Sequence, residues 1–250
     1  MKKKLFVIFI LFVLVRCLIA VEYLELNFFI EPQFEHEQMN MTNFLVKNIR
    51  NDSIRQVNVF AGRLLSTPQS DSLTAFFINT IKPDIVSPVD YYFFDRSLQV
   101  DLLISNIESD SIAIIKNQII HCDSFKVGIF SLYSPDFSVR NVVSKHAKLK
   151  TDIFKIAKDQ VQYLAGETDY IIMLSSLSKY IDNDIVNNLD VDAVVSFDYQ
   201  QKSNEILSNL LTKFFSVITK NGNYGKLRLE FKNGRVREKW EEVEFRGSEF

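Results

Sequence analysis

Catalysis needs nucleophiles, bases or metal ligands held close together, and this 250-residue sequence offers few groupings of that kind. Ser175, Ser176 and Ser178 share one loop, but no Gly-x-Ser-x-Gly elbow surrounds them and the loop has no histidine, cysteine or glycine. They read as solvated loop serines rather than a nucleophile. The three histidines, His36, His121 and His146, fall in separate segments with no i,i+4 or similar ligand spacing, so each reads as an ordinary surface or internally satisfied residue. Asp90 and Asp95 have the oxygen chemistry for a single cation, although a charged, solvated loop is the simpler account. Tyr91, Tyr92, Phe93 and Phe94, which lie between them, are either an aromatic wall beside a cleft or core packing, and packing is the plainer reading at 13% aromatic residues.

The elements that would position these side chains centre on residues 169–200. Two apolar runs, Tyr170–Leu174 and Val191–Val195, each end in a polar loop, and Asp184–Leu189 between them is long enough for a short helix. That order predicts a strand, a crossover and a second buried strand. In such a sheet the loops at the carboxyl ends of the strands carry the chemistry. Here they are the loop of Ser175, Ser176 and Ser178 and the segment Ser196-Phe197-Asp198-Tyr199-Gln200.

Tyr23–Ile30 opens the domain as a strand that stops at Glu31-Pro32, since proline cannot donate to a ladder. Met39–Ile49 and Ser72–Ile81 have helical spacing, and Pro83 ends the second. Gln56–Ala61 reads as a strand broken at Gly62, and Asp84–Pro88 as a short strand. Val100–Ser105 and Ser111–Ile120 are strand-like, the latter at the surface, and Lys126–Leu132 is a buried strand. Lys150–Leu164 is a helix stopped near Gly166, and Asn204–Ile218 has the spacing of another. Gly225–Phe231 and Arg235–Phe245, joined by Lys232-Asn233-Gly234, predict a hairpin. Strands and helices alternate without a linker, which predicts one α/β domain over residues 22–250.

Lys2–Lys4 followed by the apolar run Leu5–Val15 and the small residue Ala20 has the form of an export signal over residues 1–20. An uncleaved anchor through Leu5–Ala20 is a second reading. Acylation at Cys17 is a third, although LVRC departs from a lipoprotein box at Arg16. All three place the protein outside the cytoplasm, in a bacterial periplasm or cell envelope, with membrane contact only through that segment. Removing residues 1–20 takes 4 of the 29 basic residues and none of the 31 acidic ones, so the remainder carries a net charge near −6. That balance excludes a global attraction to nucleic acid. It also leaves Cys122 as the single thiol, with no internal disulfide to form.

Taken in order, these segments resemble the N-terminal domain of the 5′-nucleotidase branch of the calcineurin-like metallophosphoesterases. LNFFIEPQ stands where that family's first strand ends in Asp-x-His, and VFAGRLLSTP looks like the strand ending in Ala-Gly-Asp. PDIVSPVDYYFFD lies in the place of the Gly-Asn-His-Glu motif, LLISNIE resembles a Ser-Ala-Asn-Ile stretch, and FKVGIFSL is similar to a Lys-aliphatic-Gly strand. YIIMLSSLS looks like the strand ending in Leu-Ser-His, VDAVVSFDYQ like the one ending in Gly-His-x-His, and GNYGKLRLEFKNGRV like the close of the domain. The resemblance covers residues 22–240 and leaves no room for that family's C-terminal substrate-binding domain. It implies a sandwich of two mixed β-sheets flanked by helices. It also implies phosphoester hydrolysis by a water activated between two divalent ions.

The carried-over ligand positions differ from that pattern. The Asp-x-His falls on Glu31 and Gln33, the bridging Asp on Arg63, the Asn and His of the third motif on Pro88 and Val89, with Asp90 following. The next His falls on Ser176, and the final His-x-His on Asp198 and Gln200. A guanidinium in place of the bridging carboxylate opposes each ion directly, since even two unit charges 4 Å apart repel by about 4 kcal/mol in an effective dielectric of 20. The expectation is therefore no catalytic residue, no cofactor and no metal pair. Arg63, with Ser66 and Ser176, has the donors for a phosphate or carboxylate, while an ion pair of Arg63 with Glu31 or Asp198 accounts for it equally simply. The leading reading is an exported, non-catalytic domain that binds an unidentified protein or a small anionic ligand near Arg63, Ser66, Asp90, Ser176 and Asp198. Two others stand beside it: an atypical phosphoesterase holding a metal pair on Glu31, Asp90 and Asp198, and a structural envelope protein.

Overall fold

The computed structural model describes residues 21–30, 54–62, 64, 78–79, 82–89, 100–110, 113–134, 147–197, 212–217 and 223–243. In chain order the strands are β1 (Glu22–Ile30), β2 (Arg55–Gly62), β3 (Ile85–Pro88), β4 (Leu102–Leu103), β5 (Ile107–Ser109), β6 (Ile114–Ile115), β7 (Asn117–His121), β8 (Lys126–Leu132) and β9 (Ala147–Leu149). Helix α1 (Ile153–Ala165), β10 (Tyr170–Ser175), α2 (Lys179–Asn188), β11 (Ala193–Ser196), β12 (Lys213–Ser216), β13 (Tyr224–Lys232) and β14 (Arg235–Val243) follow.

Two mixed sheets face each other. One has the order β14-β13-β1-β2-β3-β4-β6, the other β12-β11-β10-β8-β7, and β5 pairs with β9 in a separate two-stranded ribbon. Strands β1 to β3 run parallel, as do β8, β10, β11 and β12, while β13, β14 and β7 are antiparallel to their neighbours. Leu24, Leu26 and Phe28 of β1 meet Val127, Ile129, Ile172, Leu174 and Val195 in the core between the sheets. The alternate residues Phe130, Leu132, Ile171, Met173 and Val194 point the other way, against Ile153, Ala157, Val161 and Leu164 of α1 and Ile185 and Val186 of α2. A sheet covered on both faces needs strands that are largely apolar, which is why β8 and β10 read as mostly apolar runs.

Asp152 caps α1 by accepting from the Lys155 N–H at 3.2 Å. Gly166 ends the helix with φ −81°, outside the left-handed region. Past the helix the Leu164 carbonyl accepts from the Glu167 and Thr168 N–H groups, both at 2.9 Å, and from the Thr168 hydroxyl at 2.8 Å. The hairpin predicted from Asn233-Gly234 is present, and the positive φ of both residues, 53° and 69°, gives the turn its right-handed match to the strands. Among the described residues no helix is long and apolar enough to cross a membrane.

Three expectations need correction. The helix predicted over Asn204–Ile218 does not extend to its end, because Lys213–Ser216 is strand β12, paired parallel to β11. Phe214 and Phe215 there pack on opposite sides, one in each cluster, which is a strand's period rather than a helix's. The ladder predicted over Val100–Ser105 shrinks to Leu102–Leu103, since the chain then turns through Ser105 and Asn106. The short helix predicted over Asp184–Leu189 begins earlier, at Lys179, and Val191 lies before β11 rather than in it. The predicted helix over 39–49 lies outside the described residues, as does that over 72–81 except for its helical residues Ile78 and Asn79.

Candidate functional site

Strands β1, β2 and β3 end side by side, with Ile30 opposite Ala61 and Gly62 opposite Pro88. In the second sheet β8, β10 and β11 also end together, with Leu132 and Ser196 each opposite Ser175. Hydrogen bonds join these two carboxyl edges. The Ser87 and Ser131 hydroxyls lie 2.6 Å apart in the core. One step further along both strands, the Tyr133 hydroxyl donates to the Val89 carbonyl at 2.6 Å. Contacts that climb both strands together show that the two edges lie at the same end of the sandwich.

Asn106 locks this junction. Its amide donates to the Tyr133 carbonyl at 2.7 Å, and its oxygen accepts from the Tyr133 N–H at 2.8 Å. Asn106 is 0% exposed, so both bonds form in a low-dielectric setting where an unmade bond is costly. Beside it the Ser131 N–H donates to the Ser105 hydroxyl at 3.2 Å, while that hydroxyl donates to the Lys116 carbonyl at 2.5 Å. The Lys116 ammonium donates in turn to the Ile107 carbonyl, and burial lowers its pKa from the usual lysine value. Glu108 is held below the usual carboxylate range by its hydrogen bond and ion pair with Lys150.

The positions singled out in the sequence divide sharply. Pro88 ends β3 and is buried. Val89 is 5% exposed; its N–H donates to the Gly62 carbonyl at 3.0 Å and its carbonyl accepts from Tyr133. The half-buried Ser176 hydroxyl donates to the Leu132 carbonyl at 3.4 Å and accepts from the Ser134 N–H at 2.9 Å. The structure thus brings Pro88, Val89 and Ser176 to the joined edge. Glu31, Gln33, Arg63, Ser66, Asp90, Asp198 and Gln200 lie outside the described residues, as do His36, His146, Asp95 and Tyr91–Phe94. The described chain does reach Ile30, Gly62, Val89 and Phe197.

The remaining candidates lie elsewhere or are occupied. His121 is exposed and pairs with Lys126 at the amino end of β8, the wrong end of the sandwich for a site on these loops. Ser175 is buried; its hydroxyl donates to Asp182 at 2.6 Å and accepts from the Leu177 N–H at 3.0 Å, a fixed structural role. Ser178 is exposed and stands at the cap position of α2 without a side-chain cap bond. Sequence reasoning missed Ser87, Asn106, Ser131 and Tyr133. Only Asn106 lies in a polar pair within an apolar stretch, Ser105-Asn106 of LLISNIE, and the letters do not say what it will bond.

A dimetal centre requires imidazole and carboxylate ligands on these strand ends. At the described positions the chain supplies two apolar side chains, with the Val89 backbone held on both sides, and one hydroxyl engaged twice. None of these three side chains is an imidazole or a carboxylate. Among the described residues no group of three or more His, Cys, Asp or Glu side chains is placed to hold an ion.

No family model matches the chain, and no curated protein matches it. Solved structures do. NAD nucleotidase (NadN) of Haemophilus influenzae superposes with a TM-score of 0.66 at 14% identity over 92% of this chain. A 5′-nucleotidase precursor from Thermus thermophilus gives 0.65 at 14% over 90%. GAP50, the anchor in the inner membrane complex of Plasmodium, gives 0.50 at 10% over 91% of this chain and 90% of its own. The chain spans 61% of the NAD nucleotidase and 54% of the 5′-nucleotidase precursor. At these identities the similarity is one of fold: an α/β sandwich of mixed sheets, as in nucleotidase-type metallophosphoesterase domains.

Proposed function

We propose that this nucleotidase-type fold serves here as an exported binding module without a dimetal centre, taking a partner protein or a small anionic ligand at the joined carboxyl edge of its sheets. The observation that carries this is the state of Val89. It stands where a histidine ligand is expected, its side chain is buried, and its backbone is held by Gly62 on one side and Tyr133 on the other. Arg63, next in sequence after Gly62, is a permanent cation, and a guanidinium suits a phosphate or carboxylate better than a divalent ion. GAP50 supports the reading from another side. It is the anchor in the inner membrane complex of Plasmodium, and this chain spans 90% of its length.

Thermal shift tests this with inorganic phosphate, adenosine monophosphate and manganese as probes on the full chain. A ligand of the folded state raises the melting temperature with its concentration. Stabilisation by phosphate or the nucleotide that disappears in Arg63→Ala, without stabilisation by manganese, is the expected result. Manganese stabilisation that persists in Arg63→Ala would overturn it.

A further inference from the structure

The hairpin of β13 and β14 buries one face and turns the other outward. Leu227, Leu229 and Phe231 belong to the core, so their alternates Lys226, Arg228, Glu230 and Lys232 stand on the outer face of the sheet. Across the ladder the same face carries Arg235, Arg237, Lys239 and Glu241, and on β1 it carries Tyr23 and Glu25. Six cations therefore meet three acids there, in a chain whose net charge is −2. The excess gathers toward the turn. Lys232 lies directly opposite Arg235, and Arg228 directly opposite Lys239, two like-charged pairs of a kind that weakens a ladder. Of the acids, Glu25 is nearly buried between Gln56 at 3.0 Å and Arg228 at 3.8 Å. Glu241 pairs with Lys239, and that hydrogen bond, against burial and with the charges of Lys226 and Arg228 adding to it, holds Glu241 below the usual carboxylate range. Lys232, Arg235, Arg237 and Lys239 are all exposed.

This cationic face begins where the apolar run Leu5–Val15 leads into the fold. Glu22, the first residue of β1, lies opposite Phe231, next to the turn. Tyr23 follows on the cationic face, 37% exposed, with the Arg228 guanidinium 4.6 Å from its ring centre. An aromatic residue among basic neighbours, flanking an apolar segment, is the arrangement that suits the polar boundary of a bilayer. We propose that the outer face of this hairpin, led by Lys232, Arg235 and Arg237, rests on the headgroups of an anionic phospholipid bilayer, as a contact additional to any made by residues 1–20. The adjoining apolar run is what selects a bilayer over an acidic protein or a free anion. The joined edge lies at the carboxyl end of β1, away from the turn, and stays open to its own ligand, so the two readings stand or fall separately.

Cosedimentation of the full chain with vesicles of phosphatidylcholine alone, or of phosphatidylcholine with phosphatidylglycerol, tests this. A chain of net negative charge should avoid the anionic vesicles if no such face acts. Wild type should instead prefer them, and added salt should erase the preference. A basic residue near an anionic surface contributes about fivefold, so Lys232→Gln/Arg235→Gln should lower partitioning onto the anionic vesicles by about 25-fold. Its partitioning onto phosphatidylcholine alone should not change, and neither should its urea unfolding, since both side chains are exposed. Lys155→Gln/Lys158→Gln makes the same charge change at exposed positions of α1, which covers the other sheet, and should keep the wild-type preference. Equal partitioning of wild type onto the two kinds of vesicle would overturn the proposal, as would equal losses in the two variants.

Discussion

Deleting the Asn106 side chain is the sharpest way to test how the sheet edges are joined. Asn106→Ala removes a donor from the Tyr133 carbonyl and an acceptor from its N–H, both at 2.8 Å or less and both in the core. Each buried backbone group that loses its partner costs about 1–3 kcal/mol, so the variant should lose roughly 2–5 kcal/mol. At about 2–4 °C per kcal/mol for a domain of this size, melting should fall by on the order of 5–20 °C. Asn106→Asp keeps an acceptor for the Tyr133 N–H but turns a second oxygen toward the Tyr133 carbonyl, so it should be no better than alanine near neutral pH. The control is Asn188→Ala, which removes an exposed bond to the Asp184 carbonyl at 2.8 Å and should cost well under about 1 kcal/mol. Urea unfolding of the three variants measures this directly. An Asn106→Ala loss no larger than that of Asn188→Ala would refute the claim that Asn106 locks the two edges.

Tyr133→Phe removes the 2.6 Å bond to the Val89 carbonyl and should cost about 1–3 kcal/mol in urea unfolding, with faster hydrogen exchange at Val89. Gly128→Ala places a Cβ 2.8 Å from Leu164 Cδ2 and 3.1 Å from Thr168 Oγ1, where α1 lies closest to β8, and overpacking there should lower stability by about 1–3 kcal/mol in thermal melts. Burial, opposed by Arg55 and reinforced by Glu22 and Asp123, pushes the Cys122 thiol up to about 11. Iodoacetamide labelling of the Cys122 peptide, followed by mass spectrometry, should be slow at pH 8, where about one thiol in a thousand is ionised, and should accelerate through pH 10–11.

The strands buried on both faces were the most legible part of the chain. Lys126–Leu132 was predicted residue for residue, and Tyr170–Leu174 falls one residue short of β10, because continuous apolar runs of that length have few other uses. Phe214-Phe215 misled because adjacent aromatics satisfy either period, and the decision rests on β11, which lies far from them in sequence pattern but adjacent in space. Strands β5 and β9 went unseen because each exists only as the partner of the other, 40 residues away along the chain. At the site, the strands that lead to the carried-over positions were legible, and the structure places Pro88, Val89 and Ser176 where those strands end. The cross-sheet bonds were not. Serine and asparagine ordinarily signal turns, and nothing in Ser87, Asn106 or Ser131 as letters says that they will be buried and paired across two sheets.

The central claim is that this fold works without a dimetal centre, and metal content tests it most directly. The full chain, equilibrated with manganese and zinc, desalted and measured by plasma mass spectrometry, should carry far less than one ion per molecule and should not turn over adenosine monophosphate or a generic phosphoester. Two ions per chain, as a two-metal hydrolase requires, together with phosphate release that stops on chelation, would contradict it.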